Sequence, residues 1–406
     1  MNRRRIRIPN QPSAGARPER LSHERGGNRR LAVPAGVALL ALMMIAAPAV
    51  IPAQTTIAMT PDTFVADAVG ARDVEISPFG TFVAIYDQTE GNAIRLFDSE
   101  LRQLWRRRLP YYWAGSLDPG SVIQFAPDES FLIFPGGRTE NDICVCDPES
   151  GDSITVLRGH ENSVDDLGLS PNGHWLVSSS YDEIILWERE GETFTARQII
   201  SDFAPATHSI EFLGDSERVA ISNSNQMLRS ITVYRVTSGR LVQEFRHQFT
   251  DNNISNEIDQ LAISPDGRWL AAGYRDTVLF FGVTATELQE AGRITEIDVG
   301  NVTTLTWSPD GTYLVTGHHR FIKWWRQSGS DWEEVATVPT QMPVLHDVEM
   351  SADGRWLYAA SRADENALAR FAVDGVGSSP LGSVTNTLGR ALSVAQRRVL
   401  TPSLAR

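Results

Sequence analysis

The sequence predicts an all-β chain whose main domain is a closed ring of small four-stranded antiparallel sheets. A short phrase, made of a hydrophobic alternation, Ser-Pro-x-Gly and a second alternation, is visible seven times, sometimes in degenerate form. Its second positions fall at residues 78, 127, 171, 214, 265, 309 and 352, in steps of 43 to 51 residues, too long for ankyrin or tetratricopeptide units. No helical periodicity follows residue 54. A lone four-stranded sheet of this size cannot cover both its faces, so such units must stack on one another around a ring.

Residues 1–53 stand apart from the repeats. Nine arginines lie in the first thirty residues against Glu19 and Glu24, a local balance of +7, and 31–53 carry no charge. The run from Ala35 to Ala47 reads AGVALLALMMIAA, with small residues following at Ala47-Pro48-Ala49 and at Ala53. A basic segment, an apolar helix and a small-residue exit predict a secretory signal peptide, or an uncleaved transmembrane anchor, that exports the rest. Removing these residues leaves 28 basic against 48 acidic side chains, a net −20. A body of that charge repels phosphate backbones and anionic membrane surfaces, which excludes nucleic acid as a partner and confines membrane contact to the apolar segment.

Residues 54–406 read as one domain. Hydrophobic residues are 42% of the chain, enough for a sizeable core, and Cys144 and Cys146 are its only cysteines, which excludes a disulfide scaffold. One unit illustrates the rest. Residues 164–170 alternate and end at Pro171-Asn172-Gly173, where Pro fixes φ and Gly accepts a positive φ, so the chain reverses. Residues 174–180 return, Asp182 opens another turn, and 183–188 and 194–200 complete the meander. Trp175, Trp269 and Trp356 occupy one offset in three units, and Tyr313 takes that place in a fourth.

Residues 157–188 therefore resemble a WD-repeat (WD40) unit. Gly159-His160 matches the Gly-His before the first strand, Asp182 the turn acid, Ser178 the second-strand hydroxyl, and Trp187-Glu188 the closing Trp-Asp. The resemblance implies a β-propeller, and a structural role for His160, Ser178, Asp182 and Trp187 as a buried hydrogen-bonded set. The other units keep the shape and lose the signature: Trp325 matches, but Arg320 replaces the acid. The family implication is a non-enzymatic scaffold for protein–protein contacts, here an exported member of bacterial type, with a monomer expected.

Both chain ends hold half a unit. Residues 392–399 fall in register with 263–270 and supply first and second strands, while 55–68 read as a third strand, a turn and a fourth strand. The expectation is an eighth blade built from both termini, with a seven-bladed ring as the alternative.

No catalytic motif, cofactor loop or metal-ligand spacing stands out. Tyr111, Tyr112 and Trp113, in the loop after the first unit, are expected to share a face with Tyr86 and with turns holding Arg138, Tyr181, Tyr274, Arg275, His318 and Arg362. Tyr, Trp and Arg dominate binding energy at interfaces, so this set is the candidate surface for a protein or peptide partner; packing of the Tyr-Tyr-Trp cluster between blades is the alternative. His318-His319 reads as a solvated turn, His160-Glu161 and His346-Asp347 as turn or inter-blade hydrogen bonding, and Asp165, Asp166 and Asp347 as isolated, solvated lining of a central channel. A propeller enzyme or small-ligand binder of lactonase or quinoprotein type would need converging side chains in that channel. Cys144 and Cys146, two apart on one strand, face the same way and read as small packing residues, since their Cα separation is at the edge of disulfide reach. Asn253 and Asn301 lie in glycan-acceptor triplets that matter only in a eukaryotic source.

Overall fold

A computed structural model describes residues 57–87, 91–109, 122–136, 139, 141–201, 207–223, 230–249, 258, 260–295, 297, 300–329, 331–363 and 365–374. The described residues form 28 strands in seven four-stranded antiparallel sheets. From first to fourth strand, blade 1 is Asp73–Ile76, Phe82–Asp87, Ala93–Asp98 and Gln103–Arg108; blade 2 is Gln124–Phe125, Leu132–Pro135, Ile143–Cys146 and Ser153–Leu157. Blade 3 is Val164–Leu169, Trp175–Ser180, Glu183–Glu190 and Thr193–Ser201; blade 4 is Thr207–Phe212, Arg218–Asn223, Ser230–Thr237 and Arg240–Gln248. Blade 5 is Gln260–Ile263, Trp269–Tyr274, Thr277–Val283 and Leu288–Ile294; blade 6 is Thr304–Trp307, Tyr313–Gly317, Phe321–Ser328 and Asp331–Pro339. Blade 7 takes Leu345–Met350, Trp356–Ser361 and Leu368–Asp374, and borrows Ala58–Val65 as its fourth strand.

That borrowed strand corrects the expected eighth blade. Residues 58–65 are one strand, not a strand, a turn and a strand, and they pair with the third strand of blade 7 from Ala58↔Asp374 to Val65↔Leu368. Blade 7 would otherwise present an unpaired edge, which the N-terminal strand covers. Residues 375–406, including the expected half unit at 392–399, lie outside the described residues, as does the leader 1–53.

The first strands of successive blades pack on one another, and the seventh packs on the first, so the ring is closed. Its core is divided among the blade interfaces. Seven buried clusters occur, each drawing side chains from two neighbouring blades; one joins Phe82, Ala84 and Ile94 of blade 1 to Phe125, Leu132 and Phe134 of blade 2. Second and third strands are buried on both faces, which is why Leu132, Ile133 and Phe134 run apolar without alternation.

The repeated turn has a hydrogen-bonding reason. Ser170 Oγ accepts from the Trp175 amide at 2.9 Å and donates to Asn172 Oδ1 at 2.8 Å, and Ser264, Ser308 and Ser351 do the same with the residues in register. The glycine that closes each turn sits at φ near 70° (Gly173 69°, Gly267 70°, Gly311 70°, Gly354 71°), a region that costs a side chain energy. Blade 2 pays that cost with Glu129 at φ 56°.

A second rule emerges only from strand pairing. Opposite Val83, Leu176, Val219, Leu270, Leu314 and Leu357 stand Phe97, Trp187, Tyr234, Phe281, Trp325 and Phe371, an aromatic on the third strand of six blades. In blade 2 that position, opposite Leu132, is Cys146. The fourth strand of every blade is bulged beside it.

Candidate functional site

Blade 3 holds the hydrogen-bonded set that its sequence signature implies, with one substitution. Trp187 Nε1 donates to Ser178 Oγ at 2.8 Å, Ser178 Oγ lies 2.6 Å from His160 Nε2, and His160 Nδ1 lies 2.9 Å from Glu183 Oε1. Glu183 also accepts from the Glu161 amide at 2.8 Å. The acid is therefore Glu183 and not Asp182, which is exposed at the turn apex and accepts from Asn162 Nδ2 at 2.9 Å. Glu183 opens the third strand and its longer side chain reaches inward to the ring of His160, whereas Asp182 sits on the outside of the reversal. Burial lowers the His160 pKa against the opposing pull of Glu183. A neutral imidazole donating through Nδ1 and accepting through Nε2 satisfies the whole chain.

Blade 6 rebuilds the same set with its histidine moved. Trp325 Nε1 donates to Thr316 Oγ1 at 3.0 Å, Thr316 Oγ1 lies 2.7 Å from His318 Nε2, and His318 Nδ1 faces the carbonyls of Asn301 at 3.0 Å and Gly300 at 3.2 Å. His318 is fully buried, and burial pushes its pKa down to about 4. The sequence placed His318 on the binding face; the structure removes it, because a neutral ring is needed inside to link the tryptophan and hydroxyl to the loop before the first strand. Tyr274 is likewise taken off that face, buried in the cluster between blades 4 and 5, and Tyr86 is buried between blades 1 and 2.

What remains of the candidate face is Tyr181, Arg275 and Arg362. Tyr181 is 62% exposed, the largest exposure among the described large hydrophobic side chains, and both arginines are exposed. Tyr111, Tyr112, Trp113 and Arg138 lie outside the described residues. The turns between second and third strands are tied to the links between blades: the Arg275 carbonyl accepts from the Val302 amide, the Arg320 carbonyl from Thr340 at 2.7 Å, and the Arg362 amide donates to Val344 at 3.0 Å. Turns and links thus form one face on a fixed backbone, with Tyr181 at the apex of a turn that Asn162 braces through Asp182.

The channel is where sequence reasoning missed most. A cavity of about 640 Å³ is lined by Asp73, Glu75, Gln124, Glu211, Asp347 and Glu349 among others. These carboxylates line the channel as the sequence suggests, but they are not isolated. Four residues before the turn serine, the side chain of one blade accepts from the next blade's first-strand amide: Asp347 from Val74 at 3.1 Å, Asp73 from Ile123 at 2.9 Å, Asp166 from Ile210 at 2.5 Å, Ser209 from Leu261 at 3.1 Å, Gln260 from Leu305 at 2.7 Å and Thr304 from Val348 at 3.2 Å. A second tier two residues later adds Glu349 to Ile76 at 2.5 Å and Glu211 to Ile263 at 3.3 Å. Together these bonds form a belt around the channel wall. The signal was available, since aligning the seven first strands on their turns puts Asp, Ser, Gln or Thr at that offset in six of them. Burial first, then mutual repulsion, holds Asp73, Glu75 and Glu349 well above the usual carboxylate range, and burial alone raises Asp165 to about 6 and Glu211 to about 7. Among the described residues no group of three His, Cys, Asp or Glu is placed to hold a metal, and no helix is long and apolar enough to cross a membrane.

The sequence model of the family "WD domain, G-beta repeat" matches residues 151–187, 241–281 and 295–326. Each match covers the first three strands of blade 3, 5 or 6, and the first two begin on the fourth strand of the blade before. Among curated proteins the chain is similar to a pre-mRNA-processing factor 19 of Oryza sativa subsp. japonica, 24% identical over 37% of this chain and 28% of that protein. It is also similar to the nuclear distribution protein nudF of Aspergillus niger, 26% identical over 39% of this chain and 34% of that one. A guanine nucleotide-binding protein subunit beta of Zea mays is 27% identical over 52% of this chain and 57% of that one. The chain thus matches less than two thirds of each relative's length, and all three are eukaryotic, so the bacterial type gains no support from them. Among solved structures, a chain of the mitotic checkpoint complex superposes with a TM-score of 0.61 at 17% identity, over 77% of this chain and 94% of that one. The Cps50 (Swd1) β-propeller domain of Myceliophteria thermophila gives 0.64 at 12% identity, over 78% and 100%. At those identities the likeness is one of fold.

Proposed function

We propose that this β-propeller with WD40 repeats is a rigid, non-enzymatic platform that binds another protein through the face of its turns and blade links, and that it does so outside the cytoplasm. The observation that carries the binding reading is Tyr181: a large aromatic, 62% exposed, held at a braced turn apex on the face that also presents Arg275 and Arg362. Exposed aromatics and arginines on a pre-organised backbone are what interfaces use, because little freedom is lost when a partner docks. One of the curated relatives is named as the subunit of a larger protein, which supports the same reading at the level of class. Export rests on the +7 leader and its apolar run.

A photo-crosslinking residue at position 362 tests the binding half. It should capture one dominant protein from the source cells, and Tyr181→Ala in the same chain should abolish capture without moving the thermal melt. Capture untouched by Tyr181→Ala removes the face from consideration. N-terminal sequencing of the mature protein tests the other half: a start at Val50 or Gln54 in the envelope fraction supports a cleaved signal, and intact protein confined to the cytoplasm refutes export.

The channel reading has a cavity in its favour, but the carboxylates in its wall are engaged in inter-blade bonds. A metabolite panel that raised the melting temperature would bring it forward.

A further inference from the structure

We propose that Cys144 and Cys146 are a built oxidation site, closing to a reversible intrastrand disulfide when the protein meets a hydroperoxide. The first observation is a break in the repeat. Six blades place Phe, Trp or Tyr on the third strand opposite the second-strand Val or Leu, and packing alone would favour the same in blade 2. Blade 2 instead puts Cys146 there, with Cys144 two residues earlier on the same side of the strand.

The second observation is how the space is used. The two sulfurs lie 2.9 Å apart, well inside ordinary non-bonded contact.

The third observation is polar company in an otherwise apolar cluster. Arg107, from the fourth strand of blade 1, donates through Nη1 to Cys146 Sγ at 3.1 Å and lies over the Phe134 ring, and Ser153 Oγ stands 3.5 Å from Cys144 Sγ. A guanidinium directed at a thiol pair favours the thiolate. Through the bond from Cys146, and with help from Ser153 and Arg107, Cys144 is lowered to about 7, while Cys146 is raised. With Arg107 on one sulfur and the two sulfurs in contact, one member of the pair serves as the attacking thiolate and the other as the resolving thiol.

The chemistry balances with hydrogen peroxide as oxidant. The thiolate of one cysteine attacks one peroxide oxygen and the O–O bond breaks, giving sulfenic acid at that cysteine and hydroxide, which takes a proton to become water. The sulfur of the other cysteine then attacks the oxidised sulfur, the S–O bond breaks, and the second oxygen leaves as water with the resolving thiol's proton. Two electrons pass from the two sulfurs to the peroxide. Both side chains are fully buried, which favours a small neutral oxidant over a bulky disulfide such as oxidised glutathione. A bridge across two residues of one strand is strained, so an ordinary dithiol should reopen it.

Because these are the only cysteines in the chain, the test is unambiguous. The folded full chain is treated with hydrogen peroxide, denatured, alkylated with N-ethylmaleimide and digested with trypsin, and the peptide from Thr139 to Arg158, which holds both thiols and no methionine, is weighed. The proposal expects the peptide to lose two hydrogens and both maleimide adducts together, and dithiothreitol to restore both. Cys144→Ser or Cys146→Ser should leave on the remaining cysteine a sulfenic acid that dimedone traps, and Arg107→Gln should slow closure several-fold at pH 7 and less at pH 9. Two adducts retained after peroxide, or separate sulfonic acids without loss of two hydrogens, would overturn it. So would a failure of dimedone to trap a sulfenic acid in either single serine variant.

Discussion

Asp347 and Asp73 flank the seam where blade 7 meets blade 1: Asp347 Oδ2 accepts from the Val74 amide at 3.1 Å, beside Asp73, whose own Oδ2 accepts from the amides of Val122 and Ile123, both at 2.9 Å. Burial and the nearby charges of Asp347 and Glu75 raise Asp73 well above the usual carboxylate range, and burial raises Asp347 as well, so the pair favours holding a proton. Glu75, Glu211 and Glu349 face the same wall, with Arg72 and His346 as the cationic and titratable neighbours lining the cavity.

The sign of the pH effect follows from the raised values. A carboxyl whose folded pKa exceeds its unfolded one stabilises the fold fully below about pH 4, and that stability is lost as pH rises through the folded value. Asp73→Asn keeps an accepting oxygen and cannot ionise. It should therefore be more stable than the parent at pH 8 by about 1–3 kcal/mol, the scale of one buried polar mismatch relieved, and equal to it near pH 4. Urea melts across that range check it; a variant less stable at pH 8 would mean that the ionised pair is the native state.

His318 is expected to impose the opposite slope. Burial lowers its folded pKa to about 4 from the ordinary histidine value of 6.5, so the stability it contributes is present above about pH 6.5 and lost as pH falls towards 4. Protonation would set a charged ring beside Thr316 and Lys323 in a buried site. Over the whole interval the loss is about 3–4 kcal/mol at roughly 1.4 kcal/mol per unit. His318→Gln should abolish that acid slope while lowering stability near pH 7.5 by about 1–3 kcal/mol through the broken chain to Trp325. An unchanged acid slope would return His318 to the surface.

Glu183 and Asp182 separate cleanly. Glu183→Ala leaves His160 Nδ1 and the Glu161 amide without their acceptor in a buried site, at an expected cost of about 1–3 kcal/mol. Asp182→Asn changes an exposed turn and should fall within about 0.5 kcal/mol of the parent. Thermal melts of the two single variants suffice. Equal costs would restore the acid to the position that the repeat signature suggests.

The propeller was legible because its turns are local: Ser, Pro and Gly within four residues define the reversal, and seven copies define the ring. The blade 3 set was legible for the same reason, apart from the acid, where a one-residue step decides whether a carboxylate points in or out. His318 was not legible, because its bond to Thr316 replaces a histidine that the pattern places about twenty residues earlier. The belt was hidden by side-chain variety, since Asp, Ser, Gln and Thr all accept an amide hydrogen yet share no letter. The count of blades failed on a long-range pairing: nothing near residues 58–65 says that their partner lies three hundred residues on.

That pairing also supplies the sharpest test of ring closure. Asp62, the extra residue of the bulge in the first strand, takes the Arg370 guanidinium on one oxygen, Nε at 2.8 Å and Nη2 at 2.5 Å, and Phe64 meets Phe371 edge-on with centroids 6.3 Å apart. Arg370 is buried and also stacks over Trp356, so losing the strand would strand a charge and bare the sheet edge at once. A chain beginning at residue 54 keeps all of this and should melt as the parent does. A chain beginning at residue 66 should lose cooperative melting or aggregate, and a synthetic peptide of residues 57–66 added in excess should recover part of the melting temperature by refilling the edge. If the shorter chain melted like the longer one, Ala58–Val65 would not be the strand that closes the ring.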